Sequence, residues 1–285
     1  MGGGNWTKAA YNCSVSSMGF TSKEDIRSSS VQAFYKSKRL DKALDPKNVL
    51  RECRDSNEHP NTIPIILALD VTGSMGQTAK DCASKLDEIM DELYKSVTDV
   101  EFLMMGIGDL IFDSAPIQAS QFESDIRIFD QTSKIYFESG GGSNKYESYT
   151  AAWYFGLYCT DLDCWKRGKK GIIITIGDEL LNPYLPRDEL SEVIGTSVGK
   201  LGLTDTFELY DEASKKFDIY HIAITNATGF RILKAPEIRK SWSEVIGQHY
   251  MEFESSDLPE AISRIVNDAT NNTTGIQVTS DGIRW

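Results

Sequence analysis

No apolar stretch in this 285-residue chain approaches the length of a membrane span, which argues against a transmembrane helix. Only three histidines occur, and they are scattered, so a histidine-built metal or catalytic centre has little support. The first residues, through Trp6, lack the basic and apolar blocks of a secretory signal. Trp6 also stands where a myristoylation pattern requires Ser or Thr. A cytoplasmic location is the expectation. Positive charge is short as well: 30 Lys and Arg face 42 Asp and Glu, for a net charge of −12. That balance argues against a nonspecific nucleic-acid surface and suits either plain solubility or cation binding. Cysteines are few, odd in number and irregularly spaced (Cys13, Cys53, Cys82, Cys159, Cys164). They form no disulfide framework, and Cys159 and Cys164 lack the second pair that a zinc site needs. Reduced cysteines used mostly for packing are expected.

What is present is an alternation of strand and helix. Residues 1–62 are rich in Ser, Lys, Asn and Gly and read as an N-terminal extension packed on the core, with weak helical stretches at 23–37 and 46–54. From residue 63 to about 270 the pattern is that of one domain. Nearly continuous apolar runs at 65–69, 100–107, 172–176, 218–224 and 250–253 read as strands of a parallel sheet covered on both faces. Stripes of helical spacing separate them: Ala79 to Val97, Leu190 to Val198, Leu209 to Phe217, and Leu258 to Val266. A lesser strand at 134–138 is expected at an edge, and 271–285 reads as a polar tail. The fold class is α/β: a doubly wound, mostly parallel central sheet flanked by helices, Rossmann-like in its layering.

Residues 63–76 carry the most chemistry. A strand-length apolar run ends in Asp70, and two hydroxyls follow at alternate positions, Thr72 and Ser74, before a helix begins. A carboxylate and two hydroxyls on a tight loop form an all-oxygen cradle suited to Mg²⁺ or Mn²⁺. The simpler alternative is a turn whose Asp and Ser only cap the helix. Two further loops fall at the same end of a parallel sheet. One runs through three glycines to Ser143 and Asn144, with Glu147 expected on the first turn of the next helix. The other is Gly177-Asp178-Glu179, after the strand at 172–176. Asp109, after Gly106 and Gly108, stands either behind these ligands or in a plain turn. Tyr149, Trp153, Tyr154 and Phe155 read as helix packing, with Tyr146 at the rim. The basic run 166–170 reads as a solvated loop.

This constellation resembles the von Willebrand factor A (integrin I-like) family and its metal-ion-dependent adhesion site (MIDAS), over residues 63–269. The family's first-loop pattern is Asp-x-Ser-x-Ser; here Thr72 replaces the first Ser and keeps the hydroxyl. The resemblance implies a metal held by Asp70, Thr72, Ser74 and Asp178, with Ser143 or Glu147 from the second loop and Glu179 as an alternative on the third. It implies a module that binds a protein partner through that partner's exposed Asp or Glu, and no catalysis. Two other classes compete. An assembly component, or an adaptor of a AAA+ ATPase system, would carry the same motifs. A haloacid dehalogenase-like phosphatase would need a second acid where Thr72 stands. The chain also lacks a Gly-x-Gly-x-x-Gly after a first strand, as dinucleotide binding would require.

Overall fold

A computed structural model describes residues 4–97, 99–138, 146–195, 202–232 and 235–272. Among them run the strands β1 (Arg51–Cys53), β2 (Ile63–Asp70), β3 (Val100–Ile107), β4 (Ile117–Glu123) and β5 (Tyr146–Glu147). The remaining strands are β6 (Thr160–Leu162), β7 (Gly171–Gly177), β8 (Leu180–Leu181), β9 (Phe217–Ile224) and β10 (Tyr250–Phe253). Six of these form the central sheet in the order β10-β9-β7-β2-β3-β4. Every neighbouring pair is parallel except β3 with β4. The doubly wound α/β sheet is therefore as the apolar runs foretell. Side chains alternate between two cores: Ile65, Leu67 and Leu69 of β2 enter one, and Ile66 and Ala68 the other. Burial on both faces is what makes these strands continuous in apolarity rather than alternating.

The N-terminal segment contributes to the first of these cores. Trp6, Tyr11, Ile26, Phe34 and Tyr35 are buried in the same cluster as the inner face of β2. Tyr11 donates from Oη to the Ser84 carbonyl at 3.0 Å, and Tyr35 to the Ala79 carbonyl at 2.9 Å. These contacts lie along the helix Gly76–Ser84, which follows the Asp70 loop. Its Lys80 and Asp81 are consequently buried: the Lys80 Nζ donates to the Ser29 carbonyl, and Asp81 accepts from Gln77 and Ser255, each at 2.8 Å.

Several local expectations are corrected. Residues 46–54 form no helix; Asn48 has a positive φ of 59°, and Arg51–Cys53 pairs with β6 instead. The stretch 23–37 is two short helices, Lys23–Ser28 and Val31–Phe34, each capped by a serine, Ser22 and Ser30. The stripe from Ala79 to Val97 breaks at Lys85 into Gly76–Ser84 and Leu86–Leu93. Residues 134–138 are not a strand, because the Gln118 side-chain amide takes the partner's place. It accepts from Tyr136 N and donates to the Tyr136 carbonyl, both at 2.8 Å. The edge strand on the β3 side is β4, and β10 forms the opposite edge. The last helix, Leu258–Asn272, runs two residues into the expected tail. Val198 and residues 273–285 lie outside the described residues.

Candidate metal centre

At the middle of the sheet β2 and β7 lie side by side, Leu69 opposite Ile176. From β2 the sheet continues to β3, and from β7 to β9 on the other side. In open α/β sheets the crevice past the carboxyl ends of two such strands is where ligands bind. Asp70 is the last residue of β2 and Asp178 follows β7, so the topology brings two carboxyls to that crevice, both fully buried.

Hydrogen bonds fix each of them. Asp70 Oδ1 accepts from the Thr72 backbone N–H at 2.9 Å and the Thr72 hydroxyl at 2.6 Å. Asp70 Oδ2 accepts from Tyr149 Oη at 2.8 Å. Asp178 Oδ2 accepts from Gly229 N at 2.7 Å, and its own N–H donates to Tyr149 Oη at 3.3 Å. One tyrosine hydroxyl thus links the first and third loops. The approach is close enough to require glycine: a Cβ on Gly177 would stand 2.1 Å from Tyr149 Oη. Below the hydroxyl, the Tyr149 ring packs 5.4 Å from both His221 and Trp242, which stack on each other at 3.5 Å. Burial depresses the His221 pKa well below its ordinary value, leaving a neutral ring.

Glu147 reaches the crevice by a different route from the expected one. It does not lie on a helical turn; it pairs in β5 with Leu181 of β8, and the helix starts later, at Thr150. The segment is held extended by Ser148, whose N–H donates to the Gly108 carbonyl at 3.2 Å and whose hydroxyl accepts from Leu110 N at 3.0 Å. Asn182 then braces the helix start, accepting from Thr150 N at 3.1 Å and donating to its hydroxyl at 2.6 Å. Both aliphatic hydroxyls of this stretch are therefore engaged, and Glu147 is its remaining oxygen donor of the expected kind. Ser143 and Asn144 lie outside the described residues, and Ser74 sits in the short 3-10 turn Gly73–Met75.

The electrostatics are one-sided. Burial, then the Asp178 charge, raises Asp70 from 3.8 to about 7, against the opposing hydrogen bonds of Thr72 and Tyr149. Burial, then Asp70 and Glu179, pushes Glu147 far above the carboxylate range. Burial, then Asp70 and Asp178, raises Glu179 to about 8. Glu147 Oε2 and Glu179 Oε2 are buried with no hydrogen-bond partner among the described residues. A buried, unpartnered carboxylate oxygen is costly unless a cation or proton meets it. The donor set is hard oxygen throughout, which fits Mg²⁺ or Mn²⁺. Among the described residues no three Asp, Glu, His or Cys side chains converge to hold an ion by themselves. A cation here would thus also draw on hydroxyls and water.

Asp109 forms a turn, accepting from Ile111 N at 2.7 Å while its own N–H donates to Asp113 at 2.7 Å. Its charge nonetheless contributes to the raised pKa values of Glu147 and Glu179.

No protein-family model and no curated protein matches the chain. Among solved structures it is similar to the pilus adhesin SpaC of Lactobacillus rhamnosus GG, open conformation, at 12% identity and a TM-score of 0.50. That match covers 79% of this chain and 31% of the adhesin, so the chain spans under a third of that protein's length. It is also similar to the conserved hypothetical protein BatB of Bacteroides thetaiotaomicron, at 15% identity and a TM-score of 0.43, covering 73% of this chain and 99% of that one. The fold is von Willebrand factor A-like.

Within this vWA-like fold the structure brings together Asp70, Thr72, Glu147, Asp178 and Glu179. Tyr149, Gly229 and Asn182 were not among the expected site residues. Only Tyr149 left a trace in sequence, as a polar-tipped aromatic two positions after Glu147. Tyr146 is 39% exposed. No helix among the described residues is long and apolar enough to cross a membrane.

Proposed function

We propose that this chain is a protein-binding module whose MIDAS-type site holds Mg²⁺ or Mn²⁺ and engages an acidic side chain of a partner protein. The holding residues would be Asp70, Thr72, Ser74 and Asp178, with Glu147 or Ser143 from the second loop. One observation carries the reading. Glu147 and Glu179 bury unpartnered oxygens beside Asp70 and Asp178, and the charges that act most strongly on Asp70, Glu147 and Glu179 are those of other carboxylates. A bound divalent cation supplies the missing positive charge and a coordination position open to an outside carboxylate. The chain's own part is positional: Thr72 and Tyr149 fix Asp70, Gly229 fixes Asp178, and the pairing of β5 with β8 fixes Glu147.

Catalysis is not part of the proposal. Thr72 stands where a phosphatase's second acid would. The test is calorimetric titration of Mg²⁺ and Mn²⁺ into wild type, Asp70→Ala and Glu147→Gln. One site is expected, weakened at least about tenfold (about 1.4 kcal/mol) in each variant. Undiminished affinity in Asp70→Ala would overturn the assignment.

A further inference from the structure

A groove of about 470 Å³ opens beside this crevice. Three separate segments build it: residues 40–47 of the N-terminal extension, the loop after β3, and the helix Arg187–Ile194. Its apolar lining includes Leu40, Leu110 and Val193, and Ile111, 53% exposed, stands at its lip. The charge around that lining is uneven. Asp45, Asp113, Glu189 and Glu192 line the groove against, among the described residues, a single cation, Lys47. Glu189 and Glu192 are exposed, and among the described residues neither has an ion-pair partner. The groove and the carboxylate crevice share the loop 108–113, whose Asp113 lines the groove and acts by its charge on Glu147. On one side that loop is bonded to Ser148, next to Glu147. On the other, Leu110, Ile111 and Asp113 line the groove.

We infer that this groove receives the part of the partner chain next to its metal-seeking acid, and that this part carries an apolar side chain together with Lys or Arg. The inference rests on the proposed function for its anchoring acid. Its own support is the match of an apolar floor to an apolar side chain, and of a carboxylate surplus to basic ones. It also answers a difficulty in the proposed function. A net charge of −12 repels an acidic partner, and only basic residues flanking the acid reverse that repulsion locally. The extension acquires a role as well, since residues 40–47 form one wall.

The probe is a synthetic peptide library in which a fixed Asp is followed by four randomised positions, selected on immobilised full-length protein with Mg²⁺ and with EDTA. Individual peptides are then measured by fluorescence anisotropy. Selected peptides are expected to favour Lys or Arg with Leu, Ile or Val after the Asp. Replacing their basic residues by Glu should weaken binding roughly two- to fivefold per exposed charge pair. Glu189→Lys with Glu192→Lys should lower affinity for the basic peptides by a similar factor and reverse the charge preference. Both positions are exposed on a helix, so the double variant is expected to fold; circular dichroism checks that. A selection with no basic preference, or with no binder at all, overturns the inference, as does a preference unmoved by the double variant. Metal-dependent binding without charge preference defeats only the groove. Charge-dependent binding that persists in EDTA upholds the groove and defeats the metal reading.

Discussion

Without divalent cations the folded protein should lose stability as the pH rises, the reverse of ordinary acid denaturation. Burial first, and neighbouring charge second, raise Asp70 from 3.8 to about 7 and Glu179 from 4.5 to about 8. Each carboxyl has a folded pKa above its unfolded one, so between those values the folded state binds more protons than the unfolded chain. The stability linked to their neutral forms is whole below about pH 4 and is lost as the pH rises through about 7 to 8. For Asp70 the shift is about 3 pKa units (7 less 3.8), which at 1.36 kcal/mol per unit is on the order of 4 kcal/mol. Carboxylates lowered by partners, such as Asp163 at about 2, act below this window, because their stability is lost only as the pH falls through that depressed value. A cation that binds only the native state adds roughly 2.7 kcal/mol at a hundredfold excess over its dissociation constant. It also favours the ionised carboxylates, so its contribution grows with pH. Urea denaturation followed by tryptophan fluorescence, from about pH 5 to about pH 8, in EDTA or Mg²⁺, reads both effects. The midpoint should fall with pH in EDTA and hold or rise in Mg²⁺. The reasoning is refuted by a flat curve in EDTA, or by an equal fall in Asp70→Asn, which cannot titrate at that position.

Three further outcomes are expected. Gly177→Ala places a Cβ 2.1 Å from the Tyr149 hydroxyl, which should cost about 1–3 kcal/mol in urea denaturation and weaken Mg²⁺ binding; a change within about 0.5 kcal/mol would mean that the loops are not packed this closely. Tyr149→Phe removes the hydroxyl joining Asp70 to Asp178 and should cost about 1.5–3 kcal/mol, as for a hydrogen bond to a charged group; unchanged stability and metal affinity would reduce this tyrosine to packing. A generic aryl phosphate should not be turned over with Mg²⁺, and turnover abolished by Asp70→Asn would replace the binding role with an enzymatic one.

The central strands were legible because burial on both faces leaves one signal, a run of apolar residues. The bounds 100–107 coincide with β3, which is buried throughout. The edge strand β4 was not legible. Its Gln118, Ser120 and Gln121 break the apolar run, and the Ser120 hydroxyl accepts from Met104 N where the register shifts. Nor could local pattern reveal that Lys80 and Asp81 are buried, since Lys80 is met by the extension at Ser29 and Asp81 by Ser255, 174 residues away. Asp70, Thr72 and Asp178 could be located because chain order alone puts them at strand ends. Glu147 reads in sequence as part of a helical turn, whereas it lies in β5, a conformation that depends on pairing with β8. The Tyr149 ring packs as a helix aromatic should, but the use of its hydroxyl depends on an aspartate 79 residues upstream.

The most direct measurement is anomalous diffraction at the manganese absorption edge, from crystals of this protein grown in Mn²⁺. One peak is predicted at the carboxyl ends of β2 and β7, within reach of Asp70, Thr72, Ser74 and Asp178 and of Glu147 or Ser143. A peak elsewhere, for example at Asp109 and Asp113, or no peak at saturating Mn²⁺, would contradict a metal-dependent site on these loops.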